Sequence, residues 1–194
     1  MLPSFEPLAM LTISTRYLDL SCKLGTIFVR KCIRADLQPA DKSHDSVFNL
    51  FESSIPTLFI YFHGIETCLK GHLLGQGITK FSGSGHDLAS LLDAMPNKKY
   101  NWKLKKLARE SLRVRRGTPM YFFLKRNGLS LTNWYQLFKY PTNHHKTKAT
   151  KLIRHTDLQY SFGEHTGIYW ESVVTTSRSL AFESTDLAVK LGYG

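Results

Sequence analysis

The stretch that decides the fold begins at residue 46 and reads SVFNLFESSIPTLFIYFHGIETCLKGHLLGQG, ending at residue 77. Its apolar residues recur at alternating spacings of four and three: Phe51, Ile55, Leu58, Phe62, Ile65 and Leu69. This spacing is typical of the buried face of a long helix. After a glycine-rich loop, FSGSGHDLASLLDAM over residues 81–95 predicts a second helix, capped by Asp87 or Ser84.

Two outer helices show the same spacing. One is predicted over about residues 5–34, with a buried face formed by Ile13, Tyr17, Leu20, Leu24 and Ile27. The other is predicted over about residues 168–191, with a face formed by Val173, Ser177, Leu180, Ser184, Leu187 and Leu191. Serines on that last face would allow another helix to approach closely.

The middle of the chain adds shorter elements. A basic amphipathic helix is predicted within residues 98–117, and another helix follows a cap at Ser130. MYFFLKRNG, residues 120–128, fits either a strand or a buried turn of helix. Residues 142–167 show no clear period. We therefore expect one domain over residues 1–194: an all-α up-and-down bundle of five or six helices, with a loop-rich insertion before the last.

The positive charge is concentrated in one segment. The chain carries a net charge of +11, and residues 97–154 hold 16 Lys or Arg and one acid, Glu110. Aromatic residues are interleaved with these cations: Tyr100, Trp102, Trp134, Tyr135 and Tyr140. Cations on phosphates and rings on unpaired bases would suit a nucleic-acid surface, although aromatic residues more often belong to a core. The predicted nucleic-acid-binding residues are Lys103, Lys106, Arg113, Arg116, Lys146, Lys148 and Lys151.

Other classes of protein receive little support. No apolar run approaches the roughly 18 residues needed to span a bilayer. The basic amphipathic helix within residues 98–117 could lie on a membrane surface, but core packing accounts for its narrow apolar face, so no membrane partner is expected. Three cysteines without CxxC spacing favour buried, reduced thiols and hence the cytoplasm. His63 and Glu66 could form a metal-binding pair, but no second pair accompanies them, so we expect no metal. Phosphate-loop, dinucleotide and GxSxG motifs are also missing, and no cofactor is expected.

Part of the central stretch resembles the HEPN family of small helical domains. Members commonly carry a helical Glu, a Lys four residues later, and a Gly-His-Asp-Leu start to the next helix. The matching residues here are Glu66, Lys70, Gly85, His86, Asp87 and Leu88, and the likeness extends over roughly residues 45–145. The resemblance implies an all-α domain, an RNA substrate, a homodimer and, in many members, a metal-independent endoribonuclease. It also implies a role in bacterial stress or phage defence, with a cognate antitoxin or defence-system partner.

The same resemblance implies a catalytic motif of Arg, four to six residues and His. The nearest match runs from Lys139 to His144 and His145, with Arg154 as a further guanidinium. A histidine would take the proton of the RNA 2′-hydroxyl while a cation stabilises charge on the phosphate.

The match is incomplete, because Lys stands where the family has Arg and cannot make its two-pronged contact. Glu66, Lys70, His86 and Asp87 would then be positioning residues. Three hypotheses remain open: an RNA-binding endoribonuclease, a non-catalytic module that binds nucleic acid or protein, and a helical scaffold without a polyanion ligand.

Overall fold

A computed structural model describes residues 6–37, 44–80, 87–139 and 166–193. Within these ranges every regular element is a helix, and no strand occurs. The helices are α1 (Glu6–Leu37), α2 (His44–Gly75), α3 (Leu88–Ala94), α4 (Trp102–Leu112), α5 (Pro119–Asn127), α6 (Leu131–Lys139) and α7 (Thr166–Lys190), with a 3-10 turn at Lys99–Asn101. The all-α prediction is confirmed. The described ranges hold one more helix than the upper expectation, because residues 120–128 prove helical.

Local signals account for the ends of the short helices. Asp87 caps α3 by accepting a hydrogen bond from the Ala89 amide, and Ser130 caps α6 in the same way from the Asn133 amide. Thr118 caps α5, and Gly128 ends it in a left-handed conformation at φ 64°. The caps predicted at residues 87 and 130 are confirmed.

The predicted buried face of α1 is wrong at three of its five positions, while Tyr17 and Leu24 are half-buried. Ile13, Leu20 and Ile27 are 48%, 42% and 48% exposed. The residues that α1 buries instead include two serines and a glycine: Leu11, Ser14, Leu18, Ser21, Gly25 and Phe28. Hydrophobic periodicity misses this face because its middle positions are small rather than apolar.

Those small residues let α1 pack closely against α2 on one side. The Ser14 hydroxyl donates to the Gly64 carbonyl at 3.0 Å, across 50 residues of chain. Further along, a Cβ at Gly71 would lie 2.7 Å from Leu11 Cδ2. Since residue numbers rise along α1 as they fall along α2, the two helices are antiparallel.

The contact of α1 with α7 follows the same plan. The hydroxyls of Ser21 and Ser177 are hydrogen-bonded at 2.9 Å, and a Cβ at Gly25 would lie 2.8 Å from Val174 Cγ2. Nearer the end of α1, the rings of Phe28 and Trp170 stack with centroids 4.5 Å apart. The predicted face of α7 is confirmed, since five of its six residues are buried: Val173, Ser177, Leu180, Ser184 and Leu187.

The central helix α2 supplies much of the remaining core. Its predicted face is confirmed from Leu58 to Leu69, whose side chains are at most 1% exposed. Trp134 and Tyr135 on α6 are fully buried beside Phe62, so they belong to the core and are not available to nucleic acid. Among the described residues, no helix has the length and apolar character to cross a membrane.

The cysteines differ in burial. Cys68 is buried, whereas Cys22 and Cys32 are half-buried, so the prediction of buried thiols holds fully for one of the three. All three are thiols. Burial raises the pKa of Cys68 to about 11, which keeps it protonated and unreactive at neutral pH.

Candidate functional site

A buried carboxylate lies at the centre of the first candidate site. Glu66 is 2% exposed. One of its carboxylate oxygens accepts a hydrogen bond from Lys70 Nζ at 2.7 Å, and the other accepts one from Tyr135 Oη at 2.5 Å. Lys70 follows Glu66 by one turn of α2, whereas Tyr135 comes from α6, 69 residues away. A carboxylate this deeply buried is stable only when such donors satisfy it.

A histidine extends this network towards solvent. His63 Nδ1 lies 3.1 Å from Tyr135 Oη and 3.9 Å from Glu66 Oε2, and its side chain is 30% exposed. The imidazole stacks on Phe59, with ring centroids 5.4 Å apart and planes 8° apart, and contacts Tyr17. Because Tyr135 gives its proton to Glu66, its oxygen accepts from Nδ1–H, which leaves Nε2 as the basic nitrogen.

We call Glu66, Lys70, Tyr135 and His63 the Glu66 network. Glu66 and Lys70 were expected as positioning residues, and their pairing was readable from their four-residue spacing. Sequence reasoning treated His63 as a surface or core residue and Tyr135 as a core aromatic. The sequence carries no signal for their hydrogen bond, since it depends on how α6 packs against α2.

Most of the predicted catalytic residues lie outside the described ranges. They are His144, His145 and Arg154. The predicted positioning residue His86 and the predicted nucleic-acid-binding residues Lys146, Lys148 and Lys151 also lie outside the described ranges. The helix α6 ends at Lys139, whose backbone position is one turn beyond Tyr135 on the same face. The described structure therefore brings the start of the predicted motif towards the Glu66 network without testing the motif itself.

Asp87 has the capping role predicted for it and also contacts α6. Its carboxylate accepts from the Ala89 amide at 3.2 Å, the Ser90 hydroxyl at 2.6 Å and the Thr132 hydroxyl at 3.2 Å. It caps α3 and joins that helix to the first turn of α6. Its influence on the Glu66 network thus passes through α6, the helix that carries Tyr135.

A second candidate site lies on α4. Trp102, Lys106, Arg109 and Arg113 follow one another at spacings of four, three and four, and all are exposed. Trp102, Lys106 and Arg109 lie on one side of the helix, and Arg113 follows as its C-cap residue. We call these four residues the α4 stripe. Lys103 lies off this stripe, with its ammonium 3.4 Å from Glu183 on α7.

The remaining predicted cation near this helix is Arg116, which is exposed in the turn after α4. Lys106 and Arg113 are thus the two predicted nucleic-acid-binding residues that share the stripe.

The α4 stripe borders a cationic pocket of about 420 Å³. Its lining residues are Asn97, Lys98, Lys99, Trp102, Lys105, Lys106 and Arg109. Lys105 is only 7% exposed, and its ammonium donates to the Met95 carbonyl at 2.6 Å and to Asn97 Oδ1 at 2.7 Å. Burial, helped by the charge of Arg109, lowers the pKa of Lys105.

Sequence reasoning did not single out Lys105, Arg109, Lys98 or Lys99. A signal was available for Lys105, because it follows Leu104 and precedes Ala108 by three positions. Both neighbours are buried, so the helical register places Lys105 at the edge of the core.

Among the described residues, no group of three or more potential metal ligands occurs. Comparison with family models, with curated proteins and with solved structures finds no match to this chain. Its chemistry therefore has to be argued from the Glu66 network and the cationic pocket.

Proposed function

We propose that this chain is a HEPN-like RNA-binding protein with an up-and-down helical bundle, and that the α4 stripe is its RNA-binding surface. The observation that carries the proposal is the exposed row of Trp102, Lys106, Arg109 and Arg113. Residues 97–117 hold nine Lys or Arg and one acid. Such a surface attracts phosphates and releases counterions when they bind.

The expected result for binding is a steep dependence on salt. Each cation that neutralises a phosphate of a single strand adds about 0.7 to the slope of log affinity against log salt concentration. Fluorescence anisotropy with a labelled oligoribonucleotide, titrated between low and physiological salt, measures that slope. Replacing Lys106 and Arg113 together with Gln should lower the slope by about 1.4.

Lys103→Gln provides a matched control, because it removes the same charge from the same helix where Glu183 already pairs it. We expect it to change the slope less than either stripe residue does. Absent binding at low salt, or binding that ignores salt, would reject the proposed RNA interaction.

The catalytic form of the proposal is a metal-independent endoribonuclease of a bacterial toxin or phage-defence system. His144 or His145 would act as base, and Lys139 with Arg154 would neutralise the phosphate. The arrangement of the Glu66 network supports it, since the His63 imidazole contacts Tyr135 Oη and the backbone of Lys139 lies one turn beyond Tyr135 on α6. In this form the protein is a cytoplasmic homodimer, with an antitoxin or defence-system partner.

A non-catalytic RNA-binding or protein-binding module is the second candidate. One observation favours it: each carboxylate oxygen of Glu66 already accepts a hydrogen bond within the protein, from Lys70 or from Tyr135. Lys139 in place of Arg points the same way.

Cleavage of labelled RNA in EDTA separates the two candidates. The wild type is compared with the double variant His144→Ala, His145→Ala and with His63→Ala. Cleavage that the double variant loses supports the enzyme. Equal cleavage by the wild type and the double variant, or cleavage by neither, rejects the enzyme and favours the binding module.

A further inference from the structure

The cationic pocket beside α4 has a chemistry more specific than a general basic surface. Each of its titratable lining residues is a cation: Lys98, Lys99, Lys105, Lys106 and Arg109. Five positive charges around one partly enclosed space repel one another, and an anion in that space relieves the repulsion. The volume of about 420 Å³ lies within the roughly 300–1,000 Å³ range of small-ligand sites.

Lys105 gives the pocket a fixed donor. Its ammonium is held by two neutral oxygens, those of Met95 and Asn97, which use two of its three N–H donors. Among the described residues the third donor has no acceptor, so a ligand can take it. Because the side chain is 93% buried, a phosphate there would meet a cation already desolvated and held in place.

Trp102 supplies a surface for a base at the mouth of the same pocket. Its side chain is 60% exposed, while Lys106 Nζ lies 5.3 Å from the ring centroid. A base stacked on the indole would therefore bring its attached phosphate within reach of Lys106. We propose that this pocket binds one nucleotide of single-stranded RNA, with its phosphate among Lys105, Lys106 and Arg109 and its base on Trp102.

The inference rests on the proposed RNA binding and narrows it to unpaired nucleotides. A duplex keeps its bases stacked inside, so Trp102 could not reach them. The neighbouring groove, about 470 Å³, shares Lys106 and Arg109 but also contains Asp93 and Glu110. Those two carboxylates disfavour phosphate on that side, which leaves the cationic pocket as the better phosphate site.

Tryptophan fluorescence tests the proposal directly. Of the three tryptophans, Trp134 and Trp170 are at most 2% exposed, so quenching on ligand addition reports on Trp102. The titrants are a single-stranded oligoribonucleotide, the same sequence as a duplex, inorganic polyphosphate and a free nucleoside monophosphate. We expect quenching by the single strand, and at least tenfold weaker binding of the duplex.

Variants separate the base from the phosphate. With labelled RNA, Trp102→Ala should weaken single-strand binding about tenfold or more while leaving polyphosphate binding unchanged. Lys106→Gln combined with Arg109→Gln should weaken binding of both ligands. Lys23→Gln, which removes an exposed charge from α1, serves as the control and should leave the affinity for both ligands unchanged.

Each adverse outcome has one meaning. Unchanged single-strand affinity in Trp102→Ala, or equal affinity for duplex and single strand, overturns the pocket inference and leaves RNA binding by the α4 stripe intact. No RNA binding by the wild type overturns the proposed function. If the free nucleotide then still quenches Trp102, the pocket is confirmed as a nucleoside-phosphate site without an RNA role.

Discussion

At the scale of single residues, this protein depends on polar groups that it buries deeply. Glu66 and His72 are both at most 2% exposed within a helical core. Glu66 keeps a donor on each oxygen, the Lys70 ammonium and the Tyr135 phenol, whereas the His72 imidazole contacts the Ser184 hydroxyl at 3.0 Å through Nε2. Substitution should therefore act through both groups, and acid through His72.

Tyr135→Phe should lower the free energy of unfolding by about 1–3 kcal/mol, because a buried carboxylate oxygen of Glu66 loses its phenol donor. Urea unfolding measures the change. Tyr121→Phe is a suitable control, since Tyr121 is half-buried and contacts Phe122 through its ring. Equal effects of the two substitutions would show that the Tyr135 hydroxyl contributes nothing specific.

His72 should make stability depend on pH. Burial lowers the pKa of His72 from its ordinary 6.5 to about 4. The unfolded chain therefore binds a proton between these values while the folded chain does not, so stability is complete above pH 6.5 and falls as pH falls towards 4. From pH 7.5 to 5.0 the loss from this group is about 2 kcal/mol.

The measurement is urea unfolding at both pH values for the wild type and for His72→Gln. Since other titrating groups act in both proteins, the difference between their pH losses isolates His72. Identical losses in the two proteins would contradict the assigned direction.

At the scale of elements, α1 is organised by close approach to two neighbours. Its serines and glycine face α2 and α7, whereas Ile13, Leu20 and Ile27 of its predicted face are exposed. Helices that approach through small residues gain backbone packing and hydroxyl hydrogen bonds. The contact therefore does not need the side chains of Ile13, Leu20 and Ile27. Two neighbouring leucines of α1 therefore have opposite environments.

Leu18→Ala should cost about 2–5 kcal/mol, because the Leu18 side chain is fully buried. Leu20→Ala, at a residue that is 42% exposed, should change the free energy of unfolding by less than about 0.5 kcal/mol. Thermal or urea unfolding of the two variants makes the comparison. A larger loss of stability in Leu20→Ala than in Leu18→Ala would show that the face predicted from periodicity is the buried one.

Gly71→Ala tests the contact between α1 and α2. The added methyl would lie 2.7 Å from Leu11 Cδ2, so the helices must shift or the leucine must move. We expect a loss of about 1–3 kcal/mol in urea unfolding from this overpacking, despite the better helix propensity of alanine. An increase in stability would show that the contact is looser than described.

At the scale of the whole molecule, charge is distributed very unevenly. Residues outside 97–154 carry a net charge of −4, whereas that segment carries +15. The described part of the segment concentrates cations around α4, including the five that line one pocket. Self-repulsion of this kind destabilises the folded state and is weakened by salt or by a bound polyanion.

The midpoint of thermal unfolding should therefore rise when polyphosphate is added at low salt. A ligand at 100 times its Kd stabilises by about 2.7 kcal/mol if it binds only the folded state. Differential scanning fluorimetry of the wild type and of the Lys106→Gln, Arg109→Gln variant measures the shift. An equal shift in both proteins would place the polyanion elsewhere than the cationic pocket.

Local information was sufficient for the type of element and for several of its boundaries. The four-three spacing of α2 and α7, the caps at Asp87 and Ser130, and the concentration of positive charge are properties of residues close in sequence. Helical periodicity and capping act over a few residues, so they can be read without the fold. The prediction of residues 120–128 stayed ambiguous because a short apolar run fits both a strand and a helix.

Only the tertiary structure decided which face of α1 is buried, that Tyr135 reaches Glu66, and that Lys105 lines a pocket. The first depends on the distance between helices, which serine and glycine reduce, and hydropathy does not encode that distance. The second joins side chains 69 residues apart, and the third depends on where α4 packs. The sequence by itself determined helices and charge, while their packing determined which polar groups meet, because long-range contacts follow from geometry that no local pattern contains.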